Sequence, residues 1–328
     1  MKRILKWLAL LLGLLLVSVG LLAFWYLRWD DIAPPALPGS MQQGSLLHDG
    51  KLRTWQAYVP AAVAERPALL LLLHGSLGDG AAMRASHFYG FDVLAERAGF
   101  IAVYPDGYDR HWNDCRAGAS YRANLENIDD VGFLQALAGQ LAREHGADLS
   151  RVYVAGISNG GHMAYRMGLE APDSIAGIAA IAANLPVADN LDCVPTAQPV
   201  ATLVINGTAD PINPYDGGLV EIYGDGSRGE VRSAMATATY WARLAGYGDA
   251  GQQMAWPEQA PQDGTSVRST SWMAPGRPAV QLLTVVGGGH TTPNPVYNLP
   301  KIVGVTSHEF DGTEIIWSFF SRREPVQP

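Results

Sequence analysis

The chain begins with an unbroken apolar run, Trp7 to Leu27, behind Lys2, Arg3 and Lys6 and ahead of Asp30-Asp31. As a helix this run is about 31 Å long, enough to cross a hydrocarbon core of about 30 Å. Residues 1–28 therefore read as a signal anchor or a signal peptide. Ser18-Val19-Gly20 offers a cleavage exit, but Leu21 to Leu27 carry the run beyond it, which favours an uncleaved anchor. In both readings the basic end stays cytoplasmic and the rest of the chain is extracytoplasmic, periplasmic or secreted. No Cys follows the run, so a lipid-modified N-terminus is not indicated. Ile32 to Pro38 holds three prolines and reads as a stiff spacer, within a linker set at 29–45 before a folded unit over 46–328.

Beyond the linker the pattern alternates between strand and helix periods. Arg53 to Val59 alternates as a half-buried strand, and Ala68 to Leu73 is a short continuous apolar run of the kind buried on both faces. Further strands are expected at Ile101–Tyr104, Val152–Gly156, Ile175–Ala182, Ala201–Asn206 and Val280–Val286. Helical spacing marks Phe91–Ala98, Asp130–Glu144 with Asp129 as N-cap, Asn159–Leu169, Arg232–Ala245 and Thr313–Phe320. Such alternation predicts an α/β fold, a mostly parallel sheet with helices on both faces. The stretch Gln252 to Pro278 is left open between a loop excursion and a strand pair.

Composition narrows the function. The 328 residues are 48% hydrophobic and 16% charged, with a net charge of −8. Removing residues 1–28 takes away four basic residues and no acid, so the remainder carries −12. An acidic surface without a basic run argues against nucleic acid as a partner. Two cysteines are too few for a disulfide framework or a cysteine-built zinc site. Asp216-Gly217-Gly218 and Asp225-Gly226 lack the oxygen-ligand pattern of a calcium loop. No metal or cofactor is expected; protein partners are left unassigned.

The chemistry concentrates at Gly156-Ile157-Ser158-Asn159-Gly160, a G-x-S-x-G sequence between a predicted strand and a predicted helix. A serine on such a strained turn needs small neighbours, and the helix start behind it directs backbone N–H groups at a developing oxyanion. The hydroxyl also needs a base. In the chain order Ser, acid, His, the later strand ends supply Asp210, after Asn206-Gly207-Thr208-Ala209, and His290, after Gly287-Gly288-Gly289. Asp210 also suits an Asx turn before Pro211. The second oxyanion donor is expected from the turn His74-Gly75-Ser76-Leu77-Gly78. The backbone N–H of Ser76 would pair with that of Asn159, with Leu77 as the runner-up for Ser76. His74 is expected to support that turn, and His162 to lie on the helix after the serine. His48, His87, His111, His145 and His308 have no such placement.

These motifs occur together in one order: His74-Gly75, Trp112-Asn113, Asn127 to Phe133, Gly156 to Gly161, Asn206 to Pro211, Pro214-Tyr215 and Gly288-Gly289-His290. The set resembles the extracellular polyhydroxybutyrate depolymerase and feruloyl esterase group, carbohydrate esterase family one of the α/β-hydrolase superfamily. The resemblance runs from about Leu46 to Phe320. It implies a Ser158–His290–Asp210 triad, an acyl-enzyme and an ester substrate, either a short 3-hydroxybutyrate-type oligoester or a feruloyl or acetyl ester. Related sequences continue the histidine motif with Thr-Trp-Pro-Gly, whereas this chain has Thr291-Thr292-Pro293-Asn294, so acyl preference does not carry over. A serine peptidase or amidase on the same fold is one alternative. A membrane-tethered binding module without catalysis is the other.

Three further expectations concern single residues. Trp112 either walls an acyl pocket, and is carried as the substrate-binding candidate, or packs as a loop tryptophan. Asp129 and Asp130 suit a helix cap with a structural hydrogen bond better than a paired acid site. Cys115 and Cys193 are expected to form a disulfide outside the cytoplasm. Activity should fall at acid pH as His290 takes a proton.

Overall fold

The computed structural model describes residues 2–222, 224–322 and 324–328. Helix α1 (Lys2–Leu27) covers the apolar run, and none of its membrane-length span is buried inside the protein. Two strands follow, β1 (Ser40–His48) and β2 (Lys51–Val59), paired as an antiparallel hairpin. The linker expected to reach residue 45 therefore gives way to sheet at Ser40. β1 alternates exposed and half-buried positions along its length and carries no strong apolar signal, which is why its strand character was hidden.

The central strands are β3 (Leu69–Leu73), β4 (Ile101–Pro105), β5 (Val152–Ile157), β6 (Gly177–Ile181) and β7 (Ala201–Gly207). A small hairpin of β8 (Gly218–Leu219) and β9 (Glu230–Val231) stands apart. Then come β10 (Gln252–Ala255), β11 (Ser266–Trp272) and β12 (Val280–Val286). The main sheet runs β1-β2-β4-β3-β5-β6-β7-β12-β11-β10. Its six middle strands, β4 to β12 in that order, are parallel, and the two outer strands at each edge are antiparallel. The open stretch Gln252 to Pro278 thus contains a strand pair, β10 and β11.

The five consecutive leucines of β3 show why the middle of the sheet reads as continuous hydrophobic sequence. Leu69, Leu71 and Leu73 face one core and Leu70 and Leu72 the other, and all five are fully buried. The first core packs under α5 (Asp130–His145), α6 (Asn159–Glu170) and α7 (Ala234–Leu244), through Phe133, Leu137, Met163 and Trp241. The second packs under α2 (Gly80–Ser86), α3 (Gly90–Ala98) and α8 (Gly312–Arg322), through Met83, Phe91, Ile316 and Phe320. A one-turn helix, α4 (Arg122–Leu125), lies before α5.

From β3 the chain moves outward to β4, then returns across β3 to β5. The crevice outside the carboxyl ends of β3 and β5 is therefore a topological switch point, where open α/β sheets bind ligands.

Candidate active site

Ser158 stands at that switch point, the first residue beyond β5. Its backbone has φ 55° and ψ −122°, a conformation that side-chain-bearing residues rarely hold. Two bonds fix it: its N–H donates to Ile181 O at 2.9 Å, and its carbonyl accepts from His162 N at 2.9 Å, which starts α6. The flanking glycines are required by space. A Cβ on Gly156 would fall on the Gly160 carbonyl, and one on Gly160 would fall on the carbonyl oxygen of Leu73. The elbow is thus pressed against the end of β3. A Cβ on Gly75 would lie 3.4 Å from the Ser158 Cβ, so the turn after β3 borders the serine directly.

In that turn the Leu77 N–H is committed to Arg110 O at 3.0 Å and the Gly78 N–H to Gly75 O at 3.1 Å. The Ser76 N–H has no protein acceptor among the described residues, so of the two candidate donors Ser76 is the one with an uncommitted amide. The Asn159 N–H is the first free amide of α6 and sits at the positive end of the helix.

On the other flank, β7 and β12 pair in parallel, and Thr208 N donates to Val285 O at 2.9 Å where both strands end. His290 Nδ1 donates to Asp210 Oδ2 at 2.8 Å. That bond leaves Nε2 as the imidazole's free nitrogen, the tautomer a general base requires. The other oxygen of Asp210 accepts from Ile212 N at 2.8 Å and Asn213 N at 2.9 Å, so the Asx turn and the histidine contact coexist. The Asp210 side chain is fully buried and that of His290 is 9% exposed. Among the described residues no hydrogen bond yet joins His290 to the Ser158 hydroxyl; such bonds often close only around substrate.

Trp112 departs from its expected role as a pocket wall. It is fully buried, its Nε1 donates to His74 O at 3.0 Å, and it packs tilted against the His74 ring. The reason is a polar network behind the elbow. The Asn159 side chain accepts from Trp112 N at 2.8 Å and donates to Trp112 O at 3.1 Å and to Asp114 Oδ2 at 2.6 Å. Asp114 in turn is paired with Arg116, Nη2 to Oδ2 at 2.5 Å, both fully buried. That guanidinium holds the Asp114 carboxyl below its usual range against the opposing effect of burial. Asn113 N donates to Asp130 Oδ2 at 2.7 Å, Asp130 pairs with Arg53 at 2.6 Å, and burial pushes the Asp130 carboxyl up. Asp129 caps α5 through Gly132 N at 2.8 Å. The two acids are structural, as a cap and a buried pair.

The disulfide Cys115–Cys193 joins this loop to the segment after β6, with Cα atoms 5.0 Å apart. His74 supports the turn as expected: Nδ1 donates to Gly75 O at 2.7 Å and Nε2 accepts from Gly107 N at 2.9 Å, a pairing that needs the neutral ring. Burial lowers its pKa in the same sense. His162, one turn beyond Ser158, is buried with no partner on Nδ1, and burial and the nearby Arg116 keep it neutral. Where related sequences carry tryptophan, Thr292 is buried and its Oγ1 lies 2.9 Å from His87 Nε2.

Sequence reasoning missed a second group beside the Ser76 turn. The Ser76 hydroxyl donates to the Tyr121 hydroxyl at 3.0 Å, and Arg228 Nε, from the β8–β9 hairpin, donates to the same oxygen at 2.9 Å. His111 stacks on the Tyr121 ring at 4.1 Å. Arg228 and Tyr121 are 107 residues apart, and no local pattern marks either of them.

With a strained serine, an acid-oriented imidazole and two uncommitted amides on one sheet edge, the arrangement suits nucleophilic acyl transfer. Among the described residues no cluster of metal-binding side chains is found. No family model matches the chain. It is 29% identical over 280 residues to a protein of Nocardia uniformis subsp. tsuyamanensis named as the esterase NocK, covering 82% of this chain and 79% of that one. It is 25% identical over 282 residues to feruloyl esterase B of Talaromyces funiculosus, covering 84% and 71%. Among solved structures, an acetyl xylan esterase from Aspergillus awamori superposes with a TM-score of 0.54 at 20% identity, over 78% of this chain and 96% of that one, a likeness of fold. The chain has the α/β-hydrolase fold, is similar to the feruloyl esterase and polyhydroxybutyrate depolymerase group, and is an ester hydrolase of the serine type.

Proposed function

We propose that Ser158 attacks the ester carbonyl while His290 Nε2 takes its proton and Asp210 holds the imidazole and stabilises its charged form. The tetrahedral oxyanion is held by the backbone N–H groups of Ser76 and Asn159, a pair in which each donor is worth about 10²–10³ in rate. His290 then protonates the departing alcohol, and water activated by the same imidazole releases the acid from the acyl-enzyme. The Asp210–His290 hydrogen bond on the same sheet edge as the strained Ser158 carries this reading.

The substrates we infer are short oligoesters of 3-hydroxyalkanoates, or feruloyl or acetyl esters. We further infer that residues 1–28 anchor the enzyme in a membrane, with the catalytic domain extracytoplasmic. The apolar helix α1 and the Cys115–Cys193 disulfide support that placement.

Labelling with a fluorophosphonate probe tests the triad. The expected result is one adduct, on Ser158, abolished by Ser158→Ala and slowed strongly by His290→Ala. Labelling that survives Ser158→Ala would sink the assignment. A panel of p-nitrophenyl acyl esters, methyl ferulate, hydroxybutyrate oligomers and peptide anilides then ranks the substrates. Anilides cleaved faster than every ester would turn the reading to an amidase.

A further inference from the structure

Helix α1 ends in aromatic residues. Trp25 and Tyr26 lie in its last turn and Trp29 just beyond it, each nearly half exposed. Tryptophan and tyrosine at the end of an apolar span settle at the headgroup level of a bilayer. The chain leaving this end does not drift free of the catalytic unit. Asp30 N donates to Asn298 O at 3.0 Å, and Asn298 N donates to Asp30 Oδ2 at 2.7 Å. The Lys301 ammonium lies 3.7 Å from the centre of the Trp25 ring.

The segment that receives these contacts also holds the catalytic histidine candidate. His290 N donates to Val303 O at 2.7 Å and Gly289 N to Val305 O at 2.9 Å. The same segment turns apolar side chains outward: Val296 is 65% exposed, Val305 43% and Ile302 36%. Between it and the end of α1 lies an open groove of about 420 Å³, lined by Trp25, Tyr26, Leu299, Lys301 and Val305 among others. Leu77, on the turn beside Ser158, adds another exposed apolar side chain, 66% exposed, at the same edge of the sheet. Exposed apolar residues scattered singly need no account, but Ile302 and Val305 lie on the stretch that meets the end of a membrane-length helix.

We propose that the segment 294–305 is seated in the headgroup layer of the bilayer that holds α1. The mouth of the catalytic site then opens at the membrane surface, and the substrates are amphiphilic esters held there. Depth follows from the contacts: if Trp25 marks the interface, Lys301 touching it is at the same level, and Ile302, Val305 and Val296 meet lipid. The contact is apolar in kind. A catalytic unit with a net charge of −12 is repelled by anionic lipid, so the seat does not depend on lipid charge. The substrate class rests on the proposed roles of Ser158 and His290; the seat does not.

The test uses the full chain in phosphatidylcholine vesicles. The native cysteines are paired, so Val296→Cys accepts a thiol-reactive fluorophore alone. Lipids brominated high on the acyl chain should quench that fluorophore at least twofold, with little dependence on salt. Leu149→Cys, at the opposite, amino-terminal edge of β5, should stay unquenched. Equal quenching at the two sites, or none at 296, overturns the seat. In a second arm, Val296→Asp with Ile302→Asp should lower kcat/KM on a long-chain ester dissolved in the vesicles five- to tenfold. Turnover of a water-soluble acetate ester should be unchanged. An equal loss on both esters, or no loss on the vesicle-borne one, overturns the substrate class. Fluorophosphonate labelling of Ser158 reads the catalytic assignment alone, so failure of the triad and failure of the membrane seat give different results.

Discussion

The two flanks of the site are held in place by different means. On the nucleophile flank, Ser158 and the Ser76 turn are backed by side chains wholly removed from water: Asn159 bonded to Trp112 and Asp114, Asp114 paired with Arg116, and Asn113 tied to Asp130. On the base flank, Asp210 and His290 are positioned mainly by backbone bonds in their own loops, to Ile212, Asn213 and Val303. A buried polar network stands or falls as a unit, since each member left alone becomes an unsatisfied group. Loop bonds to backbone can be lost one at a time. The nucleophile flank should therefore answer to damage at a distance, and the base flank to damage nearby.

The largest effect joins the flanks. Ser158→Ala and His290→Ala should each lower kcat on a p-nitrophenyl ester by about 10⁴-fold or more, and the double variant should be no more than a few fold worse than either. Steady-state kinetics on the three proteins checks this. Multiplying losses would mean that the two residues act separately and that the flanks form no single machine.

The disulfide tests remote support of the nucleophile flank. Cys115 is adjacent to Asp114 and Arg116, and the bridge closes a loop spanning 78 positions. On the chain-entropy model such a loop is worth about 4–5 kcal/mol, as an upper figure. Cys115→Ser with Cys193→Ser should lower the urea midpoint accordingly. It should also slow fluorophosphonate labelling of Ser158 by loosening the network behind Asn159. Lost stability with an unchanged labelling rate would show that the network holds the elbow without its brace.

What the sequence could reveal divides along the same line. Ser158, Asp210 and His290 stand at strand ends in local glycine-rich or Asx-turn contexts, and each context is contiguous in the chain. The Asn159 side chain reaches Trp112 and Asp114 across 45 residues or more, and nothing near it marks those partners. Trp112 was legible as important but not in its role, because a tryptophan beside a catalytic motif looks the same whether it faces substrate or the core. The parallel middle of the sheet was plain from continuous apolar runs such as Leu69 to Leu73. β1 was hidden because its half-buried edge lacks that signature.

A pH experiment probes the base flank. His87 Nδ1 donates to Met83 O at 2.9 Å, so Nε2 is the acceptor toward Thr292, two residues after His290. Burial pushes the His87 pKa down from 6.5 to about 4. Above pH 6.5 neither state carries this proton and the full contribution to stability is present. As the pH falls from 6.5 towards 4 the unfolded chain takes up the proton first and stability is lost, by roughly 2–3 kcal/mol at pH 4.5 for this group alone. Burial lowers His74 and His162 in the same direction, so the whole protein should weaken in acid. Urea unfolding of the wild type and His87→Gln at pH 7.5 and 4.5 isolates the share of His87. The variant should lose roughly 2–3 kcal/mol less across that range. Equal losses would mean that His87 is already hydrated in the folded state.

The smallest effect lies at the rim of the nucleophile flank. Tyr121 accepts from the Ser76 hydroxyl and from Arg228 Nε, and it ties the Ser76 turn to the β8–β9 hairpin. Tyr121→Phe removes the oxygen but keeps the ring stacked on His111. Ser76 and Arg228 are both partly open to water, so hydration offsets most of the lost bonding, and the melting temperature should move little. The Ser76 amide, the proposed second oxyanion donor, however gains freedom. The expected loss is about three- to tenfold in kcat, with KM within twofold, since the donor acts mainly in the transition state. A loss of 10²-fold or more would place the phenol against the reacting atoms and make it part of the chemistry. An unchanged kcat would mean that the bonds from Leu77 to Arg110 and from Gly78 to Gly75 hold the turn unaided, leaving the buried network as the sole support of this flank.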